Sequence, residues 1–172
     1  MIPIKNKDIR YATEKYIMQQ CNCLTVTAYG LSKVLEDHFP HGNAYEDRRP
    51  IGRRNCAILE DRSVPGSVDI LEGDDESPYI ICLYGQYRPG KTTSRYLYPT
   101  DYPDDVQDRL RYFNEGVCGL IDYFGNECPT IAVPYKIGCG LAGGKWSEYL
   151  KILEEFHIML EKNGGGLVIY KI

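Results

Sequence analysis

The sequence predicts a three-layer α/β/α sandwich, and two observations carry that prediction. Strand-like runs and helical stripes interleave through the second half of the chain, and the clearest strand, Tyr79 to Tyr84, reads as buried. Strands joined by crossover helices need a sheet covered on both faces. At 172 residues, 43% of them apolar and 26% charged, the chain suffices for one core and is short for two. No internal repeat, low-complexity tract or linker interrupts it, so a single domain over 1–172 is expected.

The elements follow in order. Ile2 to Ile9 reads as a short strand ending in Lys7-Asp8-Ile9, and Ile17 to Cys23 as a second, more apolar one. After a turn-like stretch to Gly30, the residues Leu31, Val34, Leu35 and Phe39 recur at helical spacing until Pro40 stops them. Residues 40–55 carry Pro40, Gly42, Pro50 and Gly52 and read as a surface loop. Cys56 to Leu59 and Val68 to Leu71 are candidate strands around the Pro65-Gly66 turn, followed by an acidic loop from Glu72 to Ser77. The stripe Val106, Leu110, Phe113, Val117, Leu120, Ile121 and Phe124 predicts a helix over Asp104 to Phe124. Thr130 to Pro134 is then a central strand. Trp146, Tyr149, Leu150, Leu153, Phe156 and Leu160 mark a last helix running to Gly164-Gly165-Gly166, and Leu167 to Lys171 closes the chain as a strand.

Charge and cysteine usage exclude several classes of function. Lys and Arg number 20 against 24 acids, with no basic run, which argues against non-specific nucleic-acid binding. No apolar stretch approaches the roughly 20 residues that span a bilayer, so no membrane role is expected. Seven cysteines, an odd count, fit no closed disulfide framework. With a leaderless start at Met1-Ile2-Pro3 they suggest reduced thiols in the cytoplasm. Cys21 and Cys23 form no paired metal motif, because the next cysteine is Cys56, so no metal is expected.

Two glycine-bearing segments could bind phosphate. Gly85-Gln86-Tyr87-Arg88-Pro89-Gly90-Lys91-Thr92 satisfies the G-x-x-x-x-G-K-[ST] pattern of a P-loop after a predicted strand. That pattern also needs a following helix, and here only Thr93 to Tyr98 can be helical before Pro99 intervenes. It further needs a carboxylate on a neighbouring strand for Mg²⁺, and the strand Thr130 to Val133 ends in Pro134-Tyr135-Lys136. The second segment runs from an apolar strand at Ile131 through Gly138, Gly140, Gly143 and Gly144 to Trp146 at the start of a helix. Glycines there let backbone N–H groups approach a diphosphate, and the helix N-terminus adds a favourable dipole.

The segment Val133 to Trp146 resembles the phosphate-binding loop of macro domains, the ADP-ribose-binding fold. It is nearest the branch holding terminal ADP-ribose protein glycohydrolases and yeast-type ADP-ribose 1″-phosphate phosphatases. Asp8-Ile9 stands at the family's Gly-Asp-Ile, with Lys7 in place of the glycine. Gln19-Gln20-Cys21-Asn22-Cys23 resembles that branch's His-Ser-Cys-Asn-Cys, and Val168 to Ile172 its closing strand.

This resemblance implies a mixed central sheet and a set of roles. Asp8 would accept from the adenine amino group with Ile9 nearby, and Tyr170 would lie against the adenine. Asn22 would bind and orient the distal ribose, beside Gln19 at the position of the phosphatase histidine. Gly30 and Leu31 would face the diphosphate from one side, and Gly138, Cys139, Gly140, Leu141, Ala142 and Gly143 would close over it from the other. Catalytic groups are sparse. Ala142 stands where the glycohydrolases have Asp, no lysine lies on Tyr79 to Tyr84, and Gln19 cannot transfer a proton near neutral pH. His38 and His41 lie at the end of the first helix, where one could reach the cleft if the loop folds back.

The expectation is therefore a monomer without a cofactor that binds an ADP-ribose derivative or an ADP-ribosylated macromolecule. It would hydrolyse ADP-ribose 1″-phosphate or a related distal-ribose ester, with Asn22 as the candidate catalytic residue. A catalytically silent ADP-ribose reader and a P-loop nucleotide enzyme using Gly85 to Thr92 are the competing expectations.

Overall fold

The computed structural model describes residues 1–93 and 98–172. Six strands form one sheet: β1 (Ile4–Lys5), β2 (Tyr16–Asn22), β3 (Val68–Leu71), β4 (Tyr79–Gln86), β5 (Thr130–Pro134) and β6 (Gly166–Tyr170). Their order across the sheet is β1-β6-β5-β2-β4-β3. All neighbours are parallel except β3, which runs antiparallel to β4 at the edge. The sheet is thus mixed.

Three α-helices cover it among the described residues: α1 (Leu31–His38), α2 (Val106–Phe124) and α3 (Trp146–Glu161). Because successive strand residues point to opposite faces, each central strand feeds two cores. Met18, Ile81, Leu83 and Val133 pack with Phe113, Val117, Leu153 and Phe156 of α2 and α3. Ile17, Cys21, Ile80, Cys82 and Ala132 pack on the other face with Leu35 of α1, Phe39 and Tyr45. No described helix is long and apolar enough to cross a membrane.

Local chemistry sets the boundaries, and several differ from the sequence reading. The first strand is only Ile4–Lys5, because the Asp8 carboxylate accepts the Arg10 N–H (2.9 Å) and caps a 3₁₀ turn over Ile9–Tyr11. Cys56 to Leu59 is not a strand. Ala57 donates its N–H to the Leu24 carbonyl and Ile58 to the Arg49 carbonyl, so both are spent on loops, and only an isolated Pro50–Ala57 bridge remains. Helix α2 starts at Val106, not Asp104, because Asp105 and Asp108 form a reciprocal capping box there. Helix α3 ends at Glu161, short of the three glycines, and Gly166 already belongs to β6.

Candidate functional site

Parallel strands end on a common side of the sheet, and such carboxyl ends are where α/β folds bind ligands. Asn22 at the end of β2 pairs with Gln86 at the end of β4, after a register shift between Gln20 and Asn22. Above these two residues lies a cleft of about 160 Å³. Gln20, Asn22, Gln86 and Tyr45 lie at its base. It is also lined by Tyr29 and Gly30 just before α1, buried Ser32 of α1, Pro89 and Gly90 after β4, and Leu141 and Ala142 of the glycine-rich loop.

The base is a chain of amides. Gln20 Nε2 donates to Gln86 Oε1 at 2.9 Å, and Gln86 Nε2 donates to the Arg88 carbonyl at 2.9 Å. Asn22 is fully engaged by the protein itself. Its Oδ1 accepts from Leu24 N (2.9 Å) and Thr25 N (2.8 Å), while its Nδ2 donates to Thr25 Oγ1 (2.9 Å) and Tyr45 Oη (3.3 Å). An amide has two donors and two acceptor lone pairs, so all four capacities are used. In this conformation Asn22 shapes the strand end and has none left for a ribose.

Two backbone walls face each other across the base. Gly30 caps α1 with φ +59° and no side-chain partner, leaving the first N–H groups of the helix without intrahelical acceptors. Opposite, the loop between β5 and α3 folds on itself through Gly144 N to Gly138 O (3.0 Å) and Gly143 N to Gly140 O (3.1 Å). The N–H groups of Gly140, Leu141 and Ala142 donate to nothing among the described residues. Leu141 is 73% exposed at the tip. A Cβ on Gly140 or Gly143 would meet open space, and Gly143 sits at φ +81°, where glycine is favoured.

Several residues assigned by resemblance lie elsewhere. Gln19 faces the opposite side of β2 from Gln20: it is 1% exposed, accepts from Ser32 Oγ at 2.8 Å and donates to Cys82 Sγ. It does not line the cleft; Gln20 does. The Asp8 carboxylate is held by the Arg10 guanidinium at 2.7–3.2 Å, which keeps it below the usual carboxylate range. Ile9 is buried in the α1-side core, and Leu31 packs against that core. Tyr170 offers no open ring to an adenine: it is 4% exposed, and its hydroxyl donates to Glu14 and accepts from Lys5 Nζ at 3.4 Å. Gly138 lies under the loop, and Cys139 donates its thiol to the Ile137 carbonyl.

Ionisable chemistry is scarce here. Burial pushes the Cys139 thiol up to about 11, and raises the Cys23 thiol and the Tyr45 phenol as well. All three stay neutral at pH 7 and are poor nucleophiles or bases. His38 packs on Tyr11 and Phe39, while His41 hydrogen-bonds the Pro78 carbonyl, so neither lines the cleft. Gly85 to Thr92 does not build a P-loop at its start: Thr92 and Thr93 form a turn, so no helix begins at Lys91. Of the stretch Thr93 to Tyr98 that could be helical, residues 94–97 lie outside the described residues, and Tyr98 is a bend. Pro89 and Gly90 of this segment nevertheless line the same cleft as the second glycine loop.

Sequence reasoning missed Gln20, Ser32, Tyr45 and Gln86. The sole available signal was that Gln20 is the alternate-facing neighbour of Gln19.

No family model matches the chain, and no curated protein matches it. Solved structures do. The macrodomain of Mycobacterium tuberculosis DarG superposes with a TM-score of 0.70 at 20% identity, covering 100% of this chain and 98% of that one. The macrodomain of Thermus aquaticus DarG gives 0.67 at 19% identity over 100% and 98%. An Oceanobacillus iheyensis macrodomain solved with ADPR gives 0.58 at 16% identity over 98% and 82%.

Proposed function

From the macrodomain fold of this chain, we propose that the protein binds ADP-ribose, free or attached to a macromolecule. The contacts are backbone N–H groups and amides, and no basic surface is needed. One observation carries this reading: Leu141 and Ala142, whose N–H groups are unpaired among the described residues, line the same cleft as Gly30 at the uncapped N-terminus of α1. Two converging sets of backbone donors suit a diphosphate, which an acidic protein otherwise repels. The ADPR in the Oceanobacillus iheyensis structure supports the same ligand. At about 160 Å³ the cleft is smaller than the roughly 300–1,000 Å³ of complete ligand pockets, so it takes one end of the molecule.

Binding without turnover is favoured over hydrolysis of ADP-ribose 1″-phosphate. Among the described residues lining the cleft there is no carboxylate, imidazole, amine or thiol. Such a residue is the usual source of the proton given to a leaving group. Burial raises the Tyr45 phenol, which makes it a weaker acid.

Calorimetric titration tests the reading. Metal-free ADP-ribose is expected to bind and Mg-ATP not to, whereas Mg-dependent ATP binding lost in Lys91→Ala would replace this proposal with a P-loop enzyme. Turnover of ADP-ribose 1″-phosphate or of mono-ADP-ribosylated protein at high protein concentration would restore the hydrolase reading.

A further inference from the structure

Arg109 lies outside the cleft, on α2, and is the largest fully buried side chain in the described structure. Its two terminal nitrogens carry four N–H bonds, and all four are used. Nη1 donates to the Gly90 carbonyl (2.6 Å) and to the Ala142 carbonyl (3.1 Å), while Nη2 donates to the Arg88 carbonyl (3.1 Å) and to Asp104 Oδ2 (2.8 Å). One planar group therefore holds both glycine turns that line the cleft, although they are about fifty residues apart in sequence.

Asp104 completes the arrangement. Its carboxylate also accepts from Tyr87 N (2.8 Å) and Arg88 N (2.9 Å), fixing the segment after β4 from the other side. Asp104 is one negative charge against two buried guanidinium groups, Arg109 and Arg88, the latter with Nε 3.9 Å from Oδ2. A buried cation is costly unless paired, and a well-packed apolar side chain would serve stability as well. Only four buried side-chain polar atoms among the described residues lack a partner: Gln20 Oε1, Arg88 Nε, Arg109 Nε and Tyr149 Oη. Gln20 and Tyr149 lie against Gly138, and the two arginines share Asp104. The unpartnered buried polar atoms are thus concentrated around Gly138 and Asp104, where stability alone gives no reason for them.

We propose that Arg109 is a positioning residue. Its hydrogen bonds to the Gly90 and Ala142 carbonyls hold the two turns that line the cleft at a fixed separation. A fixed separation favours a ligand that takes hydrogen bonds from both turns, as a diphosphate does. The inference rests on the ADP-ribose reading for its ligand and on geometry alone for the clamp.

Arg109→Lys keeps a cation for Asp104 but cannot span both carbonyls, and Arg111→Lys on the exposed face of α2 is the control. Amide hydrogen exchange and ADP-ribose titration are measured on each. In Arg109→Lys, exchange is expected to rise at least tenfold in both 88–92 and 138–144 while β4 and α3 stay protected, and ADP-ribose affinity falls at least tenfold. Arg111→Lys is expected to match the parent. Unchanged exchange, a change in only one loop, or retained affinity in a folded Arg109→Lys protein would overturn the proposal. If that variant does not fold, NMR of the parent decides. Slowly exchanging Arg109 Hη protons with through-bond couplings to the Gly90 and Ala142 carbonyls are expected, and their absence overturns it. A parent that fails to bind ADP-ribose defeats the ligand reading while leaving the exchange and coupling results to judge the clamp.

Discussion

The ring of Tyr149 lies directly beneath Gly138, so close that a Cβ at Gly138 would overlap its Cε1 and stand 2.9 Å from Gln20 Oε1. Helix α3, the glycine loop and the base of the cleft are therefore packed through one glycine. Gly138 is also at φ +76°, where an L side chain is strained. Gly138→Ala is expected to destabilise the fold by about 1–3 kcal/mol from overpacking. Gly140→Ala, whose Cβ meets open space at an ordinary φ, is expected to stay within about 0.5 kcal/mol. Urea denaturation of the two variants checks this, and equal costs would mean that Tyr149 is not seated as described.

Gly143 separates binding from packing. Its Cβ would meet nothing within 4 Å, so Gly143→Val clashes with no part of the protein, although φ +81° imposes a backbone cost of about 1 kcal/mol or more. A side chain there stands in open space on the loop to which the diphosphate is assigned. The expected result is a folded protein with ADP-ribose binding abolished in calorimetry. Retained affinity would place the phosphates elsewhere.

Asn22 is expected to behave as a structural residue. Removing its amide strands two backbone N–H groups, at Leu24 and Thr25, and takes a donor from Tyr45 Oη. A buried donor left unsatisfied costs about 1–3 kcal/mol. Asn22→Ala should therefore lose stability on that scale in chemical denaturation, while the folded fraction keeps its ADP-ribose affinity within about threefold. A large loss of affinity at unchanged stability would give Asn22 back its place on the distal ribose.

These residues also show what was legible in advance. The glycine loop could be read because its spacing, an apolar strand before it and a helix after it, is a local pattern. The strand, helix and loop order followed from periodicity for the same reason. The choice between Gln19 and Gln20 was not legible: both faces of the central strand β2 are covered, so polar and apolar residues do not alternate there to reveal which glutamine points to the cleft. The burial of Tyr170 was not legible either, because a tyrosine whose hydroxyl is bonded to Lys5 and Glu14 has the same sequence signature as one offered to a base. Arg109 was hidden in a helical stripe, since its partners at Gly90 and Ala142 are brought to it only by the tertiary fold.

Alkaline stability provides the last prediction. Burial raises the Cys139 thiol from the ordinary value near 9 to about 11, and the Tyr87 phenol from near 10 to about 12. In the unfolded chain both groups lose their protons earlier than in the native protein. Between pH 9 and 12 the native state thus binds more protons, and the unfolding free energy falls as pH rises. Below pH 9 both groups are protonated in both states, and their contribution is fully present. Urea midpoints measured from pH 7 to 11 are expected to be flat with respect to these groups up to pH 9 and to drop above it. Cys139→Ser should remove the part of the fall between pH 9 and 11 and leave the part due to Tyr87. A parent whose midpoint holds steady through pH 11, or a Cys139→Ser profile parallel to the parent's, would show that the thiol is in water and not beneath the glycine loop.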